Sequence, residues 1–126
     1  MSYLVDTDIL VDVSRNHQAA IALIDRLSED WALSAITALE FISGAKNQRE
    51  VRLIDRLIEI YKTIPVSDSI GKRAYSLLKT YAKSNGLRTF DSLIAATAIE
   101  LRRTLVTRNR KHFEMIDGLA IHIPEY

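Results

Sequence analysis

The sequence predicts an α/β fold with a mainly parallel sheet covered by helices, because short apolar runs alternate with longer helical patterns along the chain. Its 126 residues correspond to one domain over 1–126. Hydrophobic residues make up 48% of the chain and charged residues 26%, as in an ordinary globular protein. Only 4 Gly and 2 Pro are present, and no linker-like stretch interrupts the pattern.

The first half of the chain predicts three strands and four helices. The apolar run Tyr3–Val5 predicts a buried strand. Apolar positions three or four residues apart predict the helices, and Ser34 is suited to cap one that ends near Gly44. Pro65 restricts its extended segment to an edge or an end of the sheet. The predicted elements are a strand at 3–5, helices at about 9–14 and 18–28, a strand at 31–34, helices at 35–44 and 49–62, and a brief strand at 63–66.

The second half predicts two long helices and two strands. Ser67 or Asp68 can cap the first helix, and Asn85 and Gly86 stop it. The predicted elements are helices at 68–85 and 91–101 and strands at 104–107 and 119–123. The resulting order, β-α-α-β-α-α-β-α-α-β-β, is typical of parallel strands joined by helical crossovers.

Bulk charge and composition exclude several classes. The net charge of +1 does not indicate nucleic acid, so any electropositive surface must be local. The absence of cysteine excludes disulfides, thiolate metal sites and cysteine nucleophiles, and it fits a reducing compartment. No basic leader and no run of ~20 apolar residues is present, so we expect a cytoplasmic protein with no membrane partner.

Polar residues stand where ligands collect in an α/β sheet, beyond the carboxyl ends of the strands. Asp6 follows the first strand, and Asp91 opens a helix. Glu40 lies inside a helix among apolar neighbours. Thr107 and Asn109 follow a later strand.

Helix capping is the simpler explanation for most of these residues. A carboxylate such as Asp6, Asp8 or Asp91 gains roughly 0.3–1 kcal/mol in the first turn of a helix. Asn109 is a good N-cap. Glu40 has no such explanation, because a helix interior offers no dipole benefit. A half-buried carboxylate needs a partner, which can be a lysine, an arginine or a metal ion.

Convergence of the acids favours a metal ion. If Asp6, Glu40 and Asp91 meet, pairs ~4 Å apart repel by ~4 kcal/mol at an effective dielectric constant of about 20. A hard divalent cation relieves that repulsion, and Mg²⁺ or Mn²⁺ prefers oxygen ligands. The histidines are scattered along the chain, which does not favour zinc.

The stretch "YLVDTDIL" also resembles the hhhhDxD motif of haloacid-dehalogenase-type phosphatases, with Asp6 as nucleophile and Asp8 as its acid. Those enzymes carry a late acidic pair as well. Asp117 and Gly118 stand in the wrong order for it, and Asp91 stands alone. A phosphatase is therefore the weaker alternative.

Four blocks across nearly the whole chain resemble the PIN-domain ribonucleases, and among them the VapC-type toxins of toxin–antitoxin pairs. The blocks are "LVDTDILVD", "SAITALEFISGA", "TFDSLIAATAIELRRTLVTRNRKHF" and "GLAIHIP". The resemblance implies a three-layer α/β/α sandwich with a short, mainly parallel central sheet of four to five strands. It also implies a Mg²⁺- or Mn²⁺-dependent endoribonuclease that cleaves RNA with activated water. A cognate antitoxin and a homodimer are the implied partners.

The same resemblance assigns the site residues. It identifies three acids as catalytic residues and metal ligands: Asp6, Glu40 and Asp91. Asn109 takes the fourth catalytic position, where many relatives have Asp, so the number of bound cations stays open. It gives supporting roles to neighbouring polar residues, namely Thr7, Asp8, Thr107 and Ser43. The rival from another class is a non-catalytic RNA-binding module that has kept the fold.

Basic and aromatic residues complete the expectations. The cluster Arg108, Arg110, Lys111, followed by His112, is predicted to contact RNA phosphates. For the other basic residues near loop ends we favour a solvated surface, and these are Lys46, Arg49, Arg88, Arg102 and Arg103. The pattern predicts three aromatic core residues, Trp31, Phe90 and Phe113.

Overall fold

A computed structural model describes residues 1–27 and 30–126. Five strands form one sheet: β1 (Tyr3–Val5), β2 (Trp31–Ser34), β3 (Thr63–Ile64), β4 (Thr104–Val106) and β5 (Ile121–His122). Their order is β3-β2-β1-β4-β5, and all four pairings are parallel. All five carboxyl ends therefore point to the same edge of the sheet, and β3, the strand that Pro65 follows, lies at one side.

The helices cover both faces of this sheet. They are α1 (Thr7–Ser14), α2 (Gln18–Arg26), α3 (Ala35–Ser43), α4 (Gln48–Ile60), α5 (Asp68–Asn85), α6 (Thr89–Glu100) and α7 (Arg110–Phe113). The predicted end of α2 at residue 28 lies outside the described residues. Among the described helices, none combines the length and the apolar character needed to cross a membrane.

The side chains of the central strands alternate between the two faces of the sheet, which produces the three layers. In β1, Leu4 belongs to the apolar cluster that contains α5 and α6, whereas Val5 belongs to the cluster on the side of α1 to α4. In β4, Leu105 and Val106 divide between the same two clusters. Successive side chains of a strand point to opposite faces, so each short strand supports both layers. This confirms the predicted α/β/α sandwich.

Side-chain caps and a left-handed glycine set the connections. Ser34 Oγ accepts a hydrogen bond from Thr37 N at 2.9 Å, which starts α3 directly at the end of β2. Ser67 Oγ accepts from Ile70 N in the same way at the start of α5. Gly86 ends α5 with φ of 72°, a conformation that costs least in glycine. The sequence predicted Ser34 and Gly86, and it offered Ser67 or Asp68 for the cap of α5.

Several features of the helices differ from the prediction, including the start of α1 at Thr7 rather than near residue 9. The helix α6 begins at Thr89, so Asp91 lies third in it rather than first. The short helix α7 was not predicted, because four residues rich in charge show no apolar period. Packing holds α7 in place instead, since Phe113 is completely buried.

The three aromatic residues expected in the core differ in their burial. Trp31 and Phe113 are buried, as predicted. The prediction for Phe90 is wrong, because 56% of this residue is exposed. It lies in the first turn of α6, one residue before Asp91, on the side of the helix that borders a cavity rather than the sheet.

Truncation of the two phenylalanines distinguishes their environments. We expect Phe113→Ala to lower the free energy of unfolding by about 3–5 kcal/mol, because it opens a cavity under α7. We expect Phe90→Ala to change it by no more than about 0.5 kcal/mol. Urea unfolding followed by circular dichroism measures both. Equal losses would contradict the burial of Phe113 and the exposure of Phe90.

Candidate active site

A cavity of about 320 Å³ opens beyond the carboxyl ends of β1 and β4. Four acids stand in its wall, and they come from α1, α3 and α6 and their ends. The lining residues are Asp6, Thr7, Asp8, Glu40, Arg88, Thr89, Phe90, Asp91, Asn109 and His112. The three acids and the asparagine predicted as catalytic residues therefore meet in one place, although up to 103 positions of sequence, from 6 to 109, separate them.

Asp6 is the most enclosed acid of the cavity, with 4% of the residue exposed. Its Oδ1 accepts a hydrogen bond from Thr7 N and its Oδ2 accepts one from Thr107 Oγ1, both at 2.7 Å. Among the described residues no lysine, arginine or histidine forms an ion pair with it. Burial raises the pKa of Asp6 to about 7, with smaller contributions from the charges of Asp8 and Asp91. Helix capping explains the bond from Thr7 N but not this burial.

Glu40 lies half-buried on α3 and reaches toward α1. Its Oε1 accepts a hydrogen bond from Thr7 Oγ1 at 2.7 Å. Thr7 Oγ1 also lies 3.3 Å from Thr37 Oγ1, and Thr37 is fully buried. Within residues 1–27 and 30–126 no cationic side chain pairs with Glu40, so its protein partner is a hydroxyl group rather than a lysine or an arginine.

Asp91 faces the same cavity from α6. Its Oδ2 lies 3.3 Å from His112 Nδ1, which is an ion pair when the imidazole is protonated. Burial raises the pKa of Asp91, the His112 charge opposes that shift, and the Glu40 carboxylate adds to it. Asp91 is thus electrostatically coupled to another acid of the cavity.

The loop after β4 is tied to the start of α1 by side chains. Asp8 Oδ2 accepts a hydrogen bond from Arg108 N at 2.9 Å, and its Oδ1 accepts from Ile9 N at 2.8 Å. Thr107 Oγ1 accepts from Asn109 N at 3.0 Å while it donates to Asp6. Burial raises the pKa of Asp8, and the bond from Arg108 N opposes the shift. Asp8 and Thr107 therefore fix the backbone that carries Asn109.

The predictions for Asn109 and Ser43 have different outcomes. Asn109 occupies the N-cap position of α7, but its side chain makes no capping hydrogen bond, so capping does not explain it. Ser43 Oγ donates to the backbone oxygen of Glu40 in its own helix, and Ser43 is not among the cavity residues. The geometry gives Ser43 no link to the site.

Arg108 is already engaged by the protein. Its guanidinium lies 3.2 Å from Asp12 Oδ2, donates to a main-chain oxygen of Tyr126 at 3.0 Å, and stacks on the Tyr126 ring at 4.6 Å from the centroid. Arg110 and Lys111 are exposed, and in the described part of the chain neither forms an ion pair. Of the predicted basic cluster, these two are the residues open to a ligand.

Sequence reasoning missed three residues of the cavity wall, Arg88, Thr89 and Phe90. A signal was present, because all three directly precede Asp91 and the first turn of a helix exposes its N–H groups to a site at its end. The assumption that the helix starts at 91 hid that signal.

The donor atoms of the cavity suit a hard cation. Every candidate ligand is oxygen, and the buried Asp6 has no cation of the protein beside it. Over the described residues, however, no three His, Cys, Asp or Glu side chains are arranged to hold a metal ion by themselves. The residues therefore fit an open site, in which one or two carboxylates act with water and phosphate oxygens, as is usual for Mg²⁺.

Comparison with known proteins identifies the family of this chain. The family model described as PIN domain matches residues 3–119. The chain is 32% identical to Ribonuclease VapC19 of Mycobacterium tuberculosis over 92% of this chain and 95% of that protein. Solved structures are also similar to this chain. A toxin–antitoxin complex from Klebsiella pneumoniae has a TM-score of 0.84 and 30% identity over 98% of each chain.

The second solved structure is VapBC2 from Rickettsia felis bound to a DNA fragment from their promoter. It has a TM-score of 0.82 and 26% identity, again over 98% of each chain. These matches extend over almost the whole chain, and they leave the phosphatase alternative without support. The chain belongs to the PIN-domain family and, within it, to the VapC-type toxins.

Proposed function

We propose that this protein is an endoribonuclease toxin that hydrolyses RNA phosphodiester bonds with the help of Mg²⁺ or Mn²⁺. The observation that supports this most strongly is the convergence of Asp6, Glu40 and Asp91 on one cavity without an arginine or lysine paired to any of them among the described residues. A fold gains nothing from such repulsion, so its retention suggests chemistry.

The carboxylates of Asp6, Glu40 and Asp91 are proposed to surround the cation, one or two of them in direct contact and the rest through water, with substrate phosphate completing the shell. When bound, such an ion supplies positive charge against phosphate oxygens and brings the pKa of water toward neutrality. Water then attacks phosphorus, the bond to the 3′ oxygen breaks, and the products carry a 5′-phosphate and a 3′-hydroxyl. The proton that the water loses balances the one that the 3′ oxygen gains.

The neighbouring residues orient these acids. Thr7 holds Glu40 and, through its backbone N–H, also Asp6. Thr107 joins Asp6 to the loop that carries Asn109, and Asp8 fixes that loop from the other side. We assign Asn109 to water or phosphate in the site, since its amide is neutral and adds no charge for a second cation.

Substrate contacts are proposed around the mouth of the cavity. Arg110 and Lys111 on α7 offer exposed charge to phosphates. Arg108 takes part only if RNA replaces Asp12 as its partner. Phe90 is exposed at the rim and offers a ring on which a base can stack.

Partners and location follow from the family. VapC-type toxins are paired with an antitoxin, and one of the similar structures is such a complex. We propose that a cognate antitoxin binds this chain and closes the acidic cavity, that two copies form a homodimer, and that the protein acts in the cytoplasm.

Removal of one acid tests the activity. Asp91→Asn is expected to lower RNA cleavage at least about 100-fold, because the amide cannot offer the charge that a cation needs. The matched control is Asp117→Asn, since Asp117 is exposed and does not line the cavity. Cleavage of labelled RNA with Mn²⁺, compared with an EDTA sample, measures the effect.

If wild type and Asp91→Asn cleave at the same rate, the nuclease assignment is wrong and a contaminating enzyme explains the products. A protein that binds RNA but never cleaves it, with any of these metals, is the non-catalytic module instead.

The charge of Asp6 is expected to cost stability when no metal is bound. Because the folded-state pKa is raised from 3.8 to about 7, ionisation opposes folding increasingly as the pH rises through that range. In EDTA at about pH 8, Asp6→Asn should therefore be more stable than wild type by roughly 1–3 kcal/mol, and near pH 4 the gain should vanish.

Thermal unfolding measures this difference, with Asp117→Asn as the variant that should not change it. Mn²⁺ should raise the Tm of wild type and leave that of Asp6→Asn nearly unchanged. An Asp6→Asn protein that is less stable in EDTA at about pH 8, or that gains as much from Mn²⁺, would contradict this role.

Thr7 is expected to act by positioning Glu40. Thr7→Val keeps the shape of the side chain but removes the donor at 2.7 Å, and it should lower kcat by about 10–100-fold with little change in KM. Thr7→Ser retains the hydroxyl and should stay within a few-fold of wild type. Equal activity of the valine and serine variants would show that the hydrogen bond has no part in catalysis.

A further inference from the structure

A second, larger groove adjoins the acidic cavity and has the opposite charge. It has a volume of about 660 Å³ and lies between α1, α3 and α4. Five exposed cations line it: Arg15, Lys46, Arg49, Arg52 and Arg56. Glu40 belongs to the walls of both, so the groove and the cavity meet at a proposed catalytic residue.

The five cations have no anionic partners in the described part of the chain. None of them takes part in an ion pair there. The groove wall also contains two acids, which are bonded to uncharged groups: Glu50 Oε1 accepts from the backbone N of Lys46 at 3.1 Å, and Glu40 accepts from the Thr7 hydroxyl. The net charge of the chain is only +1, so this groove concentrates positive charge that the rest of the surface lacks.

Helix geometry places three of the cations on one line. Arg49, Arg52 and Arg56 are three and four residues apart on α4, so their side chains share one face. Like charges at these spacings repel and cost stability in the free protein. From Arg49 to Arg56 the helix rises about 10 Å, so the three guanidinium groups form an elongated positive surface rather than a single point charge.

We propose that this groove binds the phosphate backbone of the RNA strand that leads into the acidic cavity. The inference rests on the proposed nuclease function and names where its substrate is held. A cavity lined by four acids repels a phosphodiester, and adjacent cations can offset that repulsion and hold the strand. It also gives Lys46 and Arg49 a function in place of the solvated surface that their sequence context favoured.

The test measures binding without cleavage. A charge-removing triple variant, Arg49→Gln, Arg52→Gln and Arg56→Gln, is compared with a matched control on α5, Lys72→Gln, Lys79→Gln and Lys83→Gln. Both lower the net charge by the same amount at exposed residues. A fluorescein-labelled single-stranded RNA of mixed sequence is titrated in EDTA at several KCl concentrations and followed by fluorescence anisotropy.

The groove variant should bind at least about tenfold more weakly at low salt. Its slope of log Kd against log [KCl] should fall by about two, because ~0.7 counterion is released per phosphate contact. The control should change much less. A conservative triple variant, Arg49→Lys, Arg52→Lys and Arg56→Lys, should restore most of the binding, and circular dichroism should show all variants folded. With Mn²⁺ the groove variant should show a raised KM and an unchanged kcat.

Equal losses in the groove and control variants would overturn the proposal, because net charge alone would then explain them. Unchanged RNA binding would overturn it as well. The titration in EDTA measures RNA binding without cleavage. A protein that binds RNA through this groove but never cleaves it would therefore refute only the nuclease assignment.

Discussion

The burial of one carboxylate organises the site. Asp6 stands at the end of β1, almost out of water, with two hydrogen-bond donors and, in the described chain, no cation beside it. The donors come from different places, since Thr7 begins α1 and Thr107 follows β4. Thr7 in turn holds Glu40 on α3. A single buried charge thus joins two neighbouring strands and two helices at one edge of the sheet.

Much of this arrangement was predictable from local chemistry. The strands, the caps at Ser34 and Ser67 and the end at Gly86 depend on nearby residues, and such signals can be recognised in a sequence. Glu40 was detectable because a carboxylate inside an apolar helix has no local explanation. Phe90 and α7 were not, because long-range packing decides them: an apolar residue can border a cavity, and a short charged helix needs only one buried anchor.

The acidic cavity and the basic groove differ in how far the sequence predicts them. Three of the four acids of the first, Asp6, Asp8 and Asp91, are aspartates near strand or helix ends, where motif spacing is informative. The cations of the second come from three separate segments, and each of them alone resembles ordinary solvated surface. Only the fold shows that they face one groove and that Glu40 borders it. Basic residues that are scattered along the sequence therefore form one positively charged groove in the folded protein.

The contacts of Tyr126 have a practical consequence for work on this protein. Its ring stacks on Arg108, its hydroxyl donates to Asp12, and its main-chain oxygen accepts from Arg108. Arg108 N is bonded to Asp8 in the wall of the active cavity. Any change at Tyr126 therefore reaches, through Arg108, the loop that carries Asn109.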